Sequence, residues 1–262
     1  MRDFIFKGEK KVTIEKEVEK IITDSVSGLS RPDLFRAPIV AFSSAYDKKY
    51  LELKALIGEW HLLPFELLSS AKSVISYFVP FTKEVVYEPQ TLEHGSFLWS
   101  EAYQEINRHF DTVNEAIARL LASKGYESQT IKATHTYSQE DLKSMWSHRS
   151  AAVIAGLGTF GINKLVITEK GSGGRFCTVI TSALLEVNEE PVESQCLYIK
   201  SRACGLCLKT CPVGAISVDG IDKFVCQDEL NKNQELMRAE TGLWMADTCG
   251  KCVSACPLGY LG

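Results

Sequence analysis

The chain has 262 residues, 45% hydrophobic and 24% charged, a balance that excludes a disordered chain, a fibrous repeat and a collagen-like polymer. At roughly 150 residues per domain, it has room for one large domain or two smaller ones. Its 29 basic and 33 acidic residues leave a net charge of −4, without the basic excess that duplex nucleic-acid binding demands, so no such partner is expected.

Along the chain, the first residues hold no apolar stretch of signal-peptide length. The longest apolar runs, such as residues 151–157, fall far short of the roughly 20 residues needed to cross a bilayer. A cytoplasmic protein with no membrane partner is expected. Residues 10–22 read as a charged amphipathic helix. Residues 73–80 are β-branched and aromatic up to Pro80, which predicts a buried strand. Between Phe97 and Lys124 the apolar residues Phe97, Ala102, Ile106, Phe110, Val113, Ile117, Leu120 and Leu121 keep helical spacing, and Gly125 follows. Ser138 with Asp141 three residues on is a capping pattern, which predicts a helix start. Residues 164–168 and 176–181 read as strands separated by a glycine-rich turn at 171–174. A boundary is expected near residues 186–195. It separates an α+β domain, residues 1–190, from a domain of loops and short helices, residues 191–262.

Gly156, Gly158 and Gly161 spell G-x-G-x-x-G. A dinucleotide fold needs a helix opening within those glycines, and the β-branched stretch that follows is too short for a crossover helix. The glycines fit a loop approaching another large ligand, or a plain helix-to-strand turn.

Eight of the nine cysteines lie between Cys196 and Cys256, and two sub-patterns repeat: Cys204-x2-Cys207-x3-Cys211-Pro212 and Cys249-x2-Cys252-x3-Cys256-Pro257. Disulfide frameworks belong to secreted chains. Zinc is a better rival, because paired C-x2-C elements also build four-thiolate zinc sites. The Cys-Pro endings favour iron–sulfur, since they close the bacterial ferredoxin run, and eight thiolates match two [4Fe–4S] clusters. In such a run the cysteine before proline serves the other cluster. Cluster 1 then takes Cys204, Cys207 and Cys256, and cluster 2 takes Cys249, Cys252 and Cys211, with Cys226 as its fourth ligand. The remaining ferredoxin position holds Ser201, so Cys196 is assigned to cluster 1. Cys177 is the competitor, although its surroundings read as a buried strand, where cysteine acts as a small apolar residue.

Residues 147–168, with the glycines above, resemble the cobalamin-contacting region of epoxyqueuosine reductases. Residues 207–216 are similar to that family's cluster domain. The resemblance implies a nitroreductase-like α+β sandwich domain, related to those of reductive dehalogenases, followed by a ferredoxin-like double-cluster domain. It implies a cobalamin beside the two clusters, contacted around Arg149, Gly156, Leu157, Gly158, Gly161, Gly171 and Ser172. The family's reaction reduces an epoxide on a tRNA wobble nucleoside. The chain departs from the family in having His148-Arg149 where the family has Glu-Arg. Leu142 stands at the place of the proton-donating aspartate, with Asp141 adjacent. Asp141 and His148 are therefore the candidate proton donors, and Arg149 the candidate for corrinoid amides or a phosphate. Tyr137 and Trp146 fit core or pocket wall. His61, His94, His109 and His135 form no ligand-spaced pair and receive no role. The sequence reaches Gly262 soon after the cysteines, where epoxyqueuosine reductases continue into a helical-repeat region, so a short paralogue is expected. Its expected partners are an electron donor such as ferredoxin or flavodoxin and a small-molecule or nucleoside-type substrate. An electron-transfer protein with no substrate, or a corrinoid-handling protein, are the alternatives.

Overall fold

In the computed structural model the described residues are 12–133, 137–187 and 193–262. The expected boundary at 190/191 lies outside them, as do His135 and the first residues of the expected first helix. Thr13 caps α1 (Ile14–Ser27), its hydroxyl accepting from Lys16 N at 3.4 Å. That cap fixes the helix start immediately after Thr13. Strand β1 (Ile39–Ser44) leads to α2 (Lys48–Ile57), the short α3 (Pro64–Leu67), β2 (Ser73–Pro80), α4 (Lys83–Thr91) and the long α5 (Phe97–Ser123). Then come β3 (Ser128–Thr130), α6 (His148–Ile154), β4 (Gly158–Phe160), β5 (Val166–Thr168) and β6 (Gly174–Thr181). The cysteine-rich part contributes α7 (Leu197–Ser201), α8 (Leu206–Thr210), α9 (Lys223–Thr241) and α10 (Lys251–Ser254).

The main sheet runs β1-β2-β6-β3 and its pairs are antiparallel, with Tyr77 opposite Cys177 and Ser76 opposite Thr178. β2 is buried along its whole length because helices cover both faces. Ile75, Tyr77, Val79, Cys177 and Val179 turn to one face, into a core shared with Val18 and Ile22 of α1 and with Ile106, Phe110, Val113, Ile117 and Leu121 of α5. On the other face Val74 and Ile180 meet Tyr50, Trp146, Ala151 and Ile154, while Phe78 and Phe176 meet Ala152, Ala155 and Leu157. Each fully buried Ile or Phe stabilises the fold by about 1.5–3 kcal/mol relative to exposure, so α5 is fastened from Ile106 to Leu121.

The G-x-G-x-x-G segment is a helix-to-strand turn. Gly156 has φ +83°, and the N–H groups of Gly156 and Leu157 donate to Val153 O and Ala152 O at 3.0 and 2.9 Å. This is the double bond of a Schellman ending, and it needs a residue free to adopt the left-handed region. Gly158 then enters the β4–β5 hairpin, where a Cβ would collide with the Ile167 carbonyl. The expected helix at Ser138 is one turn only. Ser138 O accepts from Leu142 N at 2.9 Å, and the turn stops because Leu142 itself has φ +52°.

The cysteine-rich part is sewn onto the sheet layer. Asn233 of α9, buried, accepts from Gly95 N at 3.2 Å and donates to Thr248 O at 2.9 Å. The segment after Cys256 pairs with the turn before β6, as Ser172 N and Gly173 N donate to Gly259 O at 3.0 and 2.9 Å. Arg36 stacks on Tyr260 at 4.2 Å and donates to Leu261 O at 2.6 Å.

Candidate functional site

The cysteines gather into two quartets. Cys196 immediately precedes α7, Cys207 lies in α8, and Cys256 follows α10. Together with Cys204 they line one small cavity, walled also by Ile162 and Leu258. The Cys207 thiol is pushed up to about 11, first by burial and then by Cys256, Cys196 and Cys204. Cys226, in the first turn of α9, is likewise raised to about 11 by burial, Cys249 and Cys211. Cys252 is raised to about 12 by burial, Cys249, Cys226, Cys207 and Cys211. Cys207 thus belongs to the surroundings of Cys252, and the two quartets are neighbours. Among the described residues, no three His, Cys, Asp or Glu side chains stand ready as a single-ion site.

Burial and mutual repulsion favour the protonated form of Cys207, Cys226, Cys249, Cys252 and Cys256 until a cation compensates them, and thiols gathered in fours suit an iron–sulfur cluster. Ala215 N–H already donates to Cys211 Sγ at 3.2 Å, the kind of bond that tunes a cluster's potential. Cys177 stands apart in β6, on the α5 face of the sheet, where Asn114 Nδ2 donates to its sulfur at 3.3 Å.

Beside the second quartet opens a cleft of about 640 Å³, a size typical of small-ligand sites. Trp146, the start of α6, the β4–β5 hairpin, the start of β6 and Lys223 of α9 wall it. Thr178 ties this wall together. Its hydroxyl accepts from Trp146 Nε1 at 2.9 Å and donates to His148 Nδ1 at 2.8 Å, while His148 Nε2 donates to Lys132 O at 3.1 Å. Burial, outweighing the Lys132 carbonyl, drives His148 down to about 4, so at neutral pH it is an uncharged imidazole with both nitrogens bonded. Arg149 donates to Lys164 O at 3.1 Å. Its guanidinium is reached by solvent within the cleft yet surrounded by protein, and burial and Arg175 lower its pKa while Cys226 acts the other way. Arg175 donates to Asn107 Oδ1 at 3.1 Å and lies over the Tyr103 ring at 4.5 Å.

Of the expected cofactor contacts, Arg149 and Ser172 border the cleft. Gly156, Leu157, Gly158, Gly161 and Gly171 do not; they serve the helix ending, the hairpin and the docking of Gly259. Asp141 is half-exposed and pairs with Lys143 at 3.1 Å, whereas its neighbour Leu142 faces the cleft. Sequence reasoning passed over His61. It is 1% exposed, stacks on Trp146 at 5.8 Å, and both ring nitrogens lack a hydrogen-bond partner at the cleft wall. Ser172 Oγ is orphaned in the same way. Lone residues in unrelated segments, they leave no spacing signal.

No family model and no curated protein matches the chain. Solved structures do. An epoxyqueuosine reductase from Bacillus subtilis, its catalytic aspartate loop swung out of the active site, superposes with TM-score 0.59 at 21% identity. It is covered over 66% of its length by 94% of this chain. The chain has the fold of epoxyqueuosine reductases and reductive dehalogenases. The Streptococcus thermophilus epoxyqueuosine reductase gives TM-score 0.58 at 20% identity, with 95% of this chain on 66% of that one. A reductive dehalogenase whose structure suggests a mechanism for B12-dependent dehalogenation gives 0.60 at 15% identity, with 97% of this chain on 33% of that one. The chain therefore spans about two thirds of the epoxyqueuosine reductases and a third of that dehalogenase. Another epoxyqueuosine reductase of this fold was solved with a modified tRNA stem loop. Among the described residues, no helix is long and apolar enough to cross a membrane.

Proposed function

We propose that the protein is a corrinoid-dependent iron–sulfur reductase, with an α+β sandwich domain over residues 1–190 and a ferredoxin-like double-cluster domain over residues 191–262. The observation that carries the reading is the grouping of eight thiols into two adjoining quartets, the second coupled to Arg149 in the cleft. Cys196, Cys204, Cys207 and Cys256 would hold one [4Fe–4S] cluster, and Cys211, Cys226, Cys249 and Cys252 the other, for one-electron transfer. The orphaned Ser172 Oγ and the protein-walled volume suit a large polar ligand in the cleft. A cobalamin there would supply a strongly reducing cobalt centre.

The chain's own residues do the positioning. Leu53, Ile57, Phe160 and Phe176 give the cleft an apolar wall. His148, neutral and doubly bonded, fixes the start of α6 and so aims Arg149, and has no proton to release to a ligand at neutral pH. Asp141, held by Lys143 and Ser138 away from the cleft wall, is a poor proton donor. The substrate class is a small molecule or a nucleoside, free or carried on a folded RNA, and the electrons come from a ferredoxin or flavodoxin.

The test is analysis of protein purified without oxygen for iron, sulfide, zinc and cobalt, followed by titration with cobalamin. About eight iron and eight sulfide per chain are expected from two complete ligand sets, with tight corrinoid binding. Zinc in place of iron would sink the reading. Iron without corrinoid binding would transfer it to an electron-transfer protein.

A further inference from the structure

We infer that the cleft accepts an anionic substrate, a small molecule carrying phosphate or carboxylate groups, held by Arg149, Lys164, Arg175 and Lys223. The inference rests on reading this cleft as the reaction chamber, and it adds the class of molecule that enters.

Four cationic side chains border the cleft and, among the described residues, no carboxylate does, in a chain whose net charge is −4. Acids act on groups at and beside the cleft wall: Asp247 on Tyr137, Glu66 on His61, and Glu229 on Cys226 and Cys249. The hydrogen bonds of Arg149 and Arg175 go to a carbonyl and an amide oxygen, both neutral acceptors. Burial disfavours the Arg149 charge, and Arg175 adds to this. Protein walls focus such a field into the cleft. An anion would relieve it, and guanidinium forks suit phosphate and carboxylate oxygens in particular.

Neutral partners are ready as well. Ser172 Oγ is buried and unpartnered, and so are both nitrogens of His61. A buried polar group left unpaired costs about 1–3 kcal/mol, a cost that a polar ligand removes. His61 lines the same cleft, and burial lowers its pKa and favours the neutral ring. The apolar wall at Leu53, Leu56 and Ile57 leaves room for the rest of the molecule.

The test uses the cluster-loaded chain without corrinoid, titrated calorimetrically with pyrophosphate and, separately, malonate. Saturable binding that weakens as salt is raised is expected for at least one of them. R149Q and R175Q should each weaken it about tenfold or more. R119Q, which removes an exposed cation of α5, should leave it unchanged. If R149Q or R175Q loses iron, the K164Q/K223Q pair, on solvent-reached lysines, carries the same expectation. No binding of either anion, or binding that none of these charges affects, overturns the inference. A third arm repeats the titration with cobalamin or with cobinamide, which lacks the phosphodiester, at saturation. Competition by cobalamin alone assigns the charges to the cofactor and overturns the substrate assignment; an anion bound alongside either corrinoid supports it. Because the first two arms need no corrinoid, failure of the corrinoid reading is distinguishable from failure of this one.

Discussion

Replacing Thr178 with valine would expose how the cleft wall is held. The side chain is fully buried, and its hydroxyl is the partner of both Trp146 Nε1 and His148 Nδ1. Valine keeps the β-branched shape and the strand preference of β6 while removing that oxygen. Two hydrogen bonds are lost, each with a net worth of about 0.5–1.5 kcal/mol. The Trp146 N–H, on a residue 5% exposed, is left without its acceptor, which adds a desolvation cost of about 1–3 kcal/mol. His148 Nδ1 loses its donor while Nε2 keeps its bond to Lys132 O. The sum is a destabilisation of about 2–6 kcal/mol, or a Tm fall on the order of 5–20 °C for a chain of this size. T178S retains the oxygen and loses one methyl, which costs about 1 kcal/mol. Urea unfolding of the three proteins, followed by tryptophan fluorescence, measures the difference. A T178V chain within about 0.5 kcal/mol of T178S would refute the bridging role of the hydroxyl.

C196S should lower iron content, whereas C177A, whose sulfur lies within the strand core and not at the cavity of Cys204, Cys207 and Cys256, should leave it intact; iron and sulfide assays of both variants decide between the two cysteines. The depressed pKa of His148 makes stability depend on pH with a definite sign. Between about 4 in the folded state and the usual 6.5 in the unfolded one, the unfolded chain binds the extra proton. The contribution is complete above about 6.5 and is lost as pH falls toward about 4. H148Q should flatten that slope without abolishing it, since burial lowers His61 as well, and unfolding at pH 5 and 7 measures both slopes. G158A should destabilise the β4–β5 hairpin by about 1–3 kcal/mol, because its methyl meets the Ile167 carbonyl, while G220A, with open space around it, should cost less than about 1 kcal/mol; denaturant midpoints report the contrast.

Much of the fold is legible in local patterns. The apolar run at 73–80 is a strand covered on both faces, and the spacing from Phe97 onward is the helix that covers one of them. Patterns at element ends are less informative, because single dihedrals decide them. The strand expected from residue 164 begins at Val166, since Lys164 turns the chain with φ +57°, and the helix expected at Ser138 ends after one turn at Leu142. The cysteine grouping could be read from spacing because short loops bring neighbouring thiols to a common centre and turn the cysteine before proline toward the other. Only the packing places Cys177 within the core on the α5 face of the sheet, whereas Cys196 lines a cavity with Cys204, Cys207 and Cys256. The cleft lay beyond any such reading. Arg149, Lys164, Arg175 and Lys223 are scattered along the chain, and only the packing of α6, the hairpin, β6 and α9 brings their charges to one wall. The same packing strands His61 without a partner and sends Asp141 outward to Lys143. Spacing governs what a few residues of backbone can reach, whereas a pocket's charge is a sum over segments that meet only once the sheet has formed.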